Sequence, residues 1–474
     1  MDAPVSGNTQ ADLQATEEVL YEARRKIYAR SVQGFFANWR WIMVWLTQIV
    51  FYGLPWLRWD GRQAVLLDVA QRKFYFFGLI LWPQDVIFLA LLLIIAAYGL
   101  FLFTAIAGRL FCGYACPQTV YTEIFMWIES KVEGDRLARI RLDSQPMSVR
   151  KFARKAIKHG LWIALALWTG FTFVGYFTAI QTLAQEVVAW SLGGWETFWI
   201  LFYAFATYGN AGFMREQVCK YMCPYARFQS VMFDRDTLIV SYDPVRGEPR
   251  GKRKKDVPAR EQGKGDCVDC SICVQVCPTG IDIREGLQYM CIGCGACADA
   301  CDQVMDKLNT PRGLIRYSSE NAIEKGWTKA EQWAHLLRPR VLIYTGILAV
   351  MVSIFVGGLA MREPLKLNVM RDRRVLSREI PGDLLENVYQ VQLMNASDAP
   401  RRVRFEVQGL PGVSILRPKD AVEIGASTNL LRPLEVTIPE DGAHQGVYKI
   451  VITARSSDDG KPVVVHTGTT FIVP

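Results

Sequence analysis

Eight of the chain's 12 cysteines fall between Cys267 and Cys301. Cys267-x2-Cys270-x2-Cys273-x3-Cys277-Pro278 is followed by Cys291-x2-Cys294-x2-Cys297-x3-Cys301, so one four-cysteine run occurs twice. A disulfide framework spreads its cysteines through a small secreted domain, whereas runs this dense bind metal. Iron in these clusters prefers sulfur, and a closely spaced run lets one loop wrap three corners of a [4Fe–4S] cube. In two-cluster ferredoxins the fourth corner comes from the other run. That rule assigns Cys267, Cys270, Cys273 and Cys301 to one cluster, and Cys291, Cys294, Cys297 and Cys277 to the other. Structural zinc also takes CxxC pairs, but it does not account for a repeated CxxCxxCxxxC. Asp302 follows Cys301 where proline is usual; that position shapes the chain and binds no iron. Two clusters this close form a wire for single electrons.

Apolar residues make up 51% of the 474-residue chain, and the excess lies in a few long runs. A span needs about 20 mostly apolar residues. Five stretches qualify: 39–57, 86–106, 160–180, 195–213 and 340–361. The run 74–82 is too short to cross and stops at Pro83-Gln84-Asp85, which reads as an interfacial or re-entrant piece. Trp39, Trp41, Trp56, Trp59, Trp82 and Trp195 lie near span ends, as an aromatic belt requires. Residues 1–34 are polar and lack the apolar core of a cleavable signal, so the first span is expected to be retained.

Lysine and arginine set the orientation. Arg24, Arg25, Lys26, Arg30 and Arg40 precede or open the first span. Arg109, Lys131, Arg136, Arg139, Arg141, Arg150, Lys151, Arg154, Lys155 and Lys158 crowd the loop between the second and third, while 181–194 carries none. The positive-inside bias places the N-terminus, this loop and the fourth–fifth loop in the cytoplasm, and the C-terminus outside. Arg58, Arg62, Arg72 and Lys73 in the external loop 58–85 run against the bias. The net charge of +8 arises from such loops and marks no nucleic-acid surface. Lys252-Arg253-Lys254-Lys255 opens the fourth–fifth loop as a solvated linker beside lipid head groups.

The remaining cysteines form a repeated pair, Cys112-Gly-Tyr-Ala-Cys116-Pro117 and Cys219-Lys-Tyr-Met-Cys223-Pro224. Each follows a span running from outside to inside, as a parallel repeat about the membrane normal would arrange it. Proline favours the first helical position, so Cys116 and Cys223 are expected to cap helices over 117–133 and 224–233, where the dipole lowers a thiol's pKa. The four sulfurs could converge; with Met214 or Met222 nearby, such a soft site suits Cu(I) better than a hard cation. Buried structural cysteines are the alternative. Repetition of the whole pattern beside a membrane boundary favours a thiolate metal or redox site.

The four histidines lie outside the spans, which argues against a haem held in the bilayer. His159 and His335 read as interfacial side chains. Gln48, Gln84 and Asp85 offer at most a quinone contact. Beyond the fifth span the pattern changes to short alternating runs at 388–393, 403–407, 434–438, 447–453 and 463–473. Turns separate them, among them Gly409-Leu410-Pro411-Gly412 and Ser457-Asp458-Asp459-Gly460. This is the signature of an immunoglobulin-like β-sandwich, here read as a structural or docking module.

The expected fold is thus a polytopic α-helical membrane protein with five transmembrane helices, an inserted bacterial-type 2[4Fe–4S] ferredoxin domain and a C-terminal immunoglobulin-like β-sandwich. Its parts are a cytoplasmic tail (1–34), a four-helix membrane region with both CxxxCP motifs (35–243), a basic linker (244–265) and the ferredoxin domain (266–310). A connector (311–339), the fifth helix (340–361) and the sandwich (365–474) follow.

Taken in order, the spans, the motifs Cys112–Pro117 and Cys219–Pro224, the runs Cys267–Pro278 and Cys291–Cys301 and the sandwich resemble the FixG/CcoG/RdxA family. These are cytochrome c oxidase accessory proteins of the polyferredoxin type, and the resemblance covers nearly the whole chain after its tail. It implies an oxidoreductase of the cupric reductase type, which reduces Cu(II) to Cu(I) for assembly of a cbb(3)-type oxidase in the bacterial inner membrane. On that footing Cys112, Cys116, Cys219 and Cys223 are candidate copper ligands and carry the reaction. Partners implied are a cytoplasmic electron donor, a copper transporter or copper chaperones, and cbb(3)-type oxidase subunits, with homo-oligomer formation left open. A ferredoxin-type quinol dehydrogenase shares the ferredoxin runs and the CxxxCP pairs but generally lacks the sandwich. A non-redox scaffold is the third reading.

Overall fold

Val86–Ala107, 22 residues without a charge, winds into one uninterrupted helix. Away from water, a helix satisfies every backbone N–H and C=O within the segment itself. The computed structural model describes residues 26–252, 259–372, 377–397, 399–440, 444–456 and 463–474. Among these, three helices are long and apolar enough to cross a membrane: Val86–Ala107, Val149–Val174 and Pro339–Ala360. The expectation of five is not met by that standard. Phe35–Gly53 is helical and long enough, but with the buried Arg40 and other polar residues it is less apolar than that standard requires. Gly194–Thr207 ends as an α-helix after 14 residues and passes into a π-helical turn, Tyr208–Met214. The helix expected at 160–180 begins at Val149, because its basic first turns continue the helical run.

The chain divides into two units: residues 1–47, 100–168 and 202–342, and residues 48–99, 169–201 and 343–474. The second unit holds the sandwich. In one sheet the strands run Ser414–Arg417, Asn429–Pro439, Leu384–Asn395, Leu365–Arg371, with Arg378–Ile380 also pairing on the third. In the other they run Val422–Ile424, Arg401–Gln408, Gly446–Ser456, Val463–Val473. All pairs are antiparallel, with Tyr389 opposite Leu434 and Phe405 opposite Ala454. Alternate residues turn inward: Tyr389, Val391 and Leu393 from one sheet meet Val403, Ile450, Ile452 and Phe471 from the other.

Residues 74–82, expected as an interfacial or re-entrant piece, belong to a small sheet. Val65–Asp68, Lys73–Phe76 and Leu79–Leu81 form an antiparallel meander. Its Tyr75, Ile80 and Trp82 pack with Met394 of the sandwich. Asp85 has structural partners: it accepts from Arg362 at 2.7 Å, from the Trp82 N–H at 3.0 Å and from Lys366. Two cations and a backbone N–H thus occupy that carboxylate.

In the first unit the ferredoxin segment is wider than 266–310, since Ile239–Tyr242 pairs with Ile315–Ser318 outside it. The stretch 244–265, expected as a solvated linker, is folded where described. Asp243 caps the turn Pro244–Gly247, and Gly251 N–H donates to Cys267 O at 3.0 Å. Arg253, Lys254 and Lys255 lie outside the described residues, as do Arg24 and Arg25. Residues following these last two are packed: Arg30 N–H donates to Gln275 O at 2.8 Å, and Tyr28 Oη to Asp143 at 2.7 Å.

Candidate functional site

The two cysteine runs fold alike. In the first, Asp269 and Ser271 have φ of 54° and 55°; in the second, Gly293 and Gly295 hold the same two places with φ of 64° and 71°. These left-handed residues flank Cys270 and Cys294 and curl each loop. A helix follows each, Ile272–Gln275 and Ala296–Lys307. Glycine is required at 295, where a Cβ would stand 2.6 Å from the Phe36 ring.

Cys267, Cys270, Cys273 and Cys301 line one hollow, together with Tyr242 and Arg284. Cys277, Cys291, Cys294 and Cys297 line a second, and Cys273 reaches it as well. Burial pushes the Cys291 and Cys301 thiols up to about 12 and Cys273 to about 11, so this many thiolates in apolar surroundings need positive charge. Among the described residues no three His, Cys, Asp or Glu side chains gather around one point tightly enough for a single metal ion. A zinc ion holds thiolates at about 2.3 Å; a cubane takes them at four separated corners. Sulfur-lined hollows with an all-thiol donor set fit the cubane.

The CxxxCP motifs meet beside the second hollow. Cys112 lies in the helix Leu110–Tyr114, Cys116 caps Pro117–Glu133, and Cys223 caps Pro224–Met232. Cys219 sits in a second π-helical turn, Val218–Met222. The four sulfurs share one electrostatic field: Cys116 and Cys223 act on Cys112, and Cys112, Cys116 and Cys223 act on Cys219. Burial pushes Cys112 up to about 11 and Cys219 to about 12. Cys116 rises as well, even though the N–H groups of Gln118 and Thr119 point at its sulfur. The helix-cap effect expected to lower Cys116 is present, and desolvation outweighs it. Met222 is 56% exposed.

Gln118 ties the motifs together. Its amide donates to Asn210 O at 3.0 Å and to Arg215 O at 3.1 Å, just before Cys219. Arg215 has φ of 41°, a costly conformation for a residue with a Cβ. It is held by Glu129, which accepts from its guanidinium at 2.9 Å. Glu129 also pairs with Arg139 at 3.2 Å and Lys158 at 3.6 Å, and Glu133 with Lys158 at 2.9 Å. Sequence reasoning counts Arg139 and Lys158 only as loop charge and passes over Arg215. The signal was Glu129 and Glu133 themselves, one helical turn apart in a basic segment.

Arg109, also counted only as loop charge, is 5% exposed. It donates to Ala226 O at 2.5 Å and to Cys291 O at 3.4 Å, and its charge acts on Cys112, Cys219, Cys223 and Cys291. Cys112 Sγ lies 3.3 Å from Gln229 Oε1. His159 Nδ1 is 3.0 Å from Tyr208 Oη, and His335 stacks on Trp327 at 4.0 Å.

Family models describe the same segments. Residues 89–133 match a 4Fe–4S binding domain, 214–320 a 4Fe–4S dicluster domain, and 355–474 the Ig-like fold at the C-terminus of FixG. Nitrogen fixation protein FixG of Rhizobium meliloti (strain 1021) is 40% identical over 462 residues, which cover 89% of this chain and 88% of that protein. The chain belongs to the FixG family. Protein RdxA of Cereibacter sphaeroides is likewise 40% identical over 452 residues, covering 93% of this chain and 92% of RdxA. A solved FixG-related protein from Vibrio parahaemolyticus aligns at 21% identity and a TM-score of 0.21, covering 23% of this chain and 97% of its own. This FixG-family chain is therefore an iron–sulfur electron-transfer protein with helices suited to a membrane.

Proposed function

We propose that this protein passes electrons from two [4Fe–4S] clusters to Cu(II), yielding Cu(I) for assembly of a cbb(3)-type oxidase. One cluster is assigned to Cys267, Cys270, Cys273 and Cys301, the other to Cys277, Cys291, Cys294 and Cys297. When bound, the clusters supply single-electron carriers. Copper is the substrate, taken at Cys112, Cys116, Cys219 and Cys223, and each Cu(II) gains one electron. The observation that carries the reading is the nearness of these four thiols to the Cys291–Cys297 loop through Arg109.

The residues divide the work. The thiols release protons as they bind copper, because the thiolate is the ligand. Arg109 offsets the negative charge that accumulates. Soft sulfur favours Cu(I), so reduction is matched to the donor set. Copper visits the site, drawing in sulfurs that do not stand around one point beforehand. The ferredoxin segment is assigned to the cytoplasm and the sandwich to the periplasm, where oxidase subunits and copper carriers are the partners in view.

The test is Cys116→Ala with Cys223→Ala in anaerobically purified protein. Iron content should hold while Cu(II) reduction, read with a Cu(I) chelator, is lost; retained reduction returns the motifs to a structural role. A second reading is that the four thiols hold a third cluster. It is favoured by the 4Fe–4S description of residues 89–133, whose cysteines are Cys112 and Cys116. Iron falling by about a third in that double variant would select it.

A further inference from the structure

The first unit holds a cavity of about 680 Å³ that the cysteine sites do not use. That volume lies within the usual range for small-molecule sites, about 300–1,000 Å³. Its walls are almost wholly apolar, with Phe36, Trp39, Phe103, Phe111 and Trp333 among them. Its hydroxyl groups are those of Tyr114 and Tyr317. Tyr114 Oη donates to Cys294 O at 3.3 Å, and the Tyr317 hydroxyl donates to Gly293 O. One end of the cavity thus rests on the loop of the second hollow.

The rest of the lining reaches the membrane-length helices. Phe103, Ile106 and Ala107 close Val86–Ala107, and Leu336 stands just before Pro339–Ala360. Trp333 and Phe103 are 68% and 58% exposed, a rim suited to lipid rather than to water. A ligand dissolved in the bilayer can enter here with its apolar tail outward and its polar head against the tyrosines.

We propose that this cavity binds an isoprenoid quinol and oxidises it at the Tyr114–Tyr317 end, making quinol the electron donor. The proposal rests on the copper reading for its acceptor. The quinol becomes quinone, releasing two protons to water and two electrons singly to the cluster pair; each electron then reduces one Cu(II). The tyrosine oxygens accept hydrogen bonds from the quinol hydroxyls and orient the ring against the Gly293–Cys294 backbone. A phospholipid tail would match the walls but bring no donor to the tyrosine oxygens.

The test uses full-length protein in nanodiscs. Photolabelling with an azido-ubiquinone should modify the segment 103–115, in competition with decylubiquinol. Anaerobic decylubiquinol should bleach the clusters. In Ala107→Trp, which fills the cavity, and in Tyr114→Phe/Tyr317→Phe, which removes the hydroxyls, quinol-driven cluster reduction should fall about ten-fold relative to dithionite-driven reduction. Labelling elsewhere, a bound phospholipid that decylubiquinone does not displace, or unaltered ratios in both variants overturns the proposal. Labelling at 103–115 with cluster bleaching but no copper reduction upholds the quinol site and removes the copper reading instead.

Discussion

Gly113 is packed against the carbonyl of Gly293: a Cβ at position 113 would stand 2.9 Å from that oxygen, 2.9 Å from the oxygen of Ile292 and 3.1 Å from Cys294 Cα. The first CxxxCP motif therefore touches the second cysteine run backbone to backbone, and only a residue without a side chain permits it.

This contact predicts the effect of Gly113→Ala. The atoms it would meet are backbone, which cannot swing aside as a side chain does. The Ile292–Cys294 loop should be displaced, with loss of iron and a fall in Cu(II) reduction. Gly160→Ala is the control, since nothing lies within 4 Å of a Cβ there. Iron analysis beside the chelator assay checks both; a Gly113→Ala protein with full iron and full rate would break the link drawn between the two sites.

A second prediction concerns cluster sharing. Cys270→Ser should remove one cluster and leave the other, lowering iron by about half. The surviving electron paramagnetic resonance signal should be that of a single, uncoupled cluster. Iron unchanged in this variant would mean that Cys270 is no ligand.

The local pattern was readable and the tertiary one was not. The strands at 388–393, 403–407, 434–438 and 447–453 sit inside observed strands, and 463–473 coincides with one, because alternation reports directly which face is buried. The caps at Cys116 and Cys223 followed from the prolines after them. Arg109 looked like any loop cation, since its partners, Ala226 and Cys291, are remote in sequence. The rise in the Cys116 pKa was missed for the same reason: the dipole is local to the helix, whereas burial depends on the whole fold. The meander over 65–81 escapes a sequence reading, because strands of three or four residues are too short for alternation to show.

The cluster around Glu129 gives a third prediction. Arg139, Lys158 and Arg215 all face this carboxylate, whose own side chain is 2% exposed. Glu129→Gln keeps the shape and removes the charge, leaving buried cations uncompensated, which costs about 3–5 kcal/mol. Arg215 would lose the group that holds its strained backbone ahead of Cys219. Thermal unfolding should shift down, and Cu(II) reduction should fall further than iron content does. An unaltered melting temperature would show that Glu133 alone balances the cluster.

Asp143 supplies a prediction with a sign in pH. Burial alone would raise its carboxyl, but hydrogen bonds from Lys155, Lys26 and Tyr28 outweigh burial and hold it well below the usual carboxylate range. A folded-state pKa below the unfolded one gives stability that is present above the unfolded value, about 3.9, and lost as pH falls through the folded one. Asp143→Asn should therefore cost roughly 1–2 kcal/mol near neutrality, a figure kept small because Lys26 is half exposed. The gap between variant and wild type should narrow steadily below about pH 4, as the wild-type carboxylate takes up its proton. Melting temperatures of both proteins measured across that range decide it: a gap that stays constant into acid would mean that the carboxylate's charge plays no part in holding residues 26–28 on the helix Arg136–Ser144.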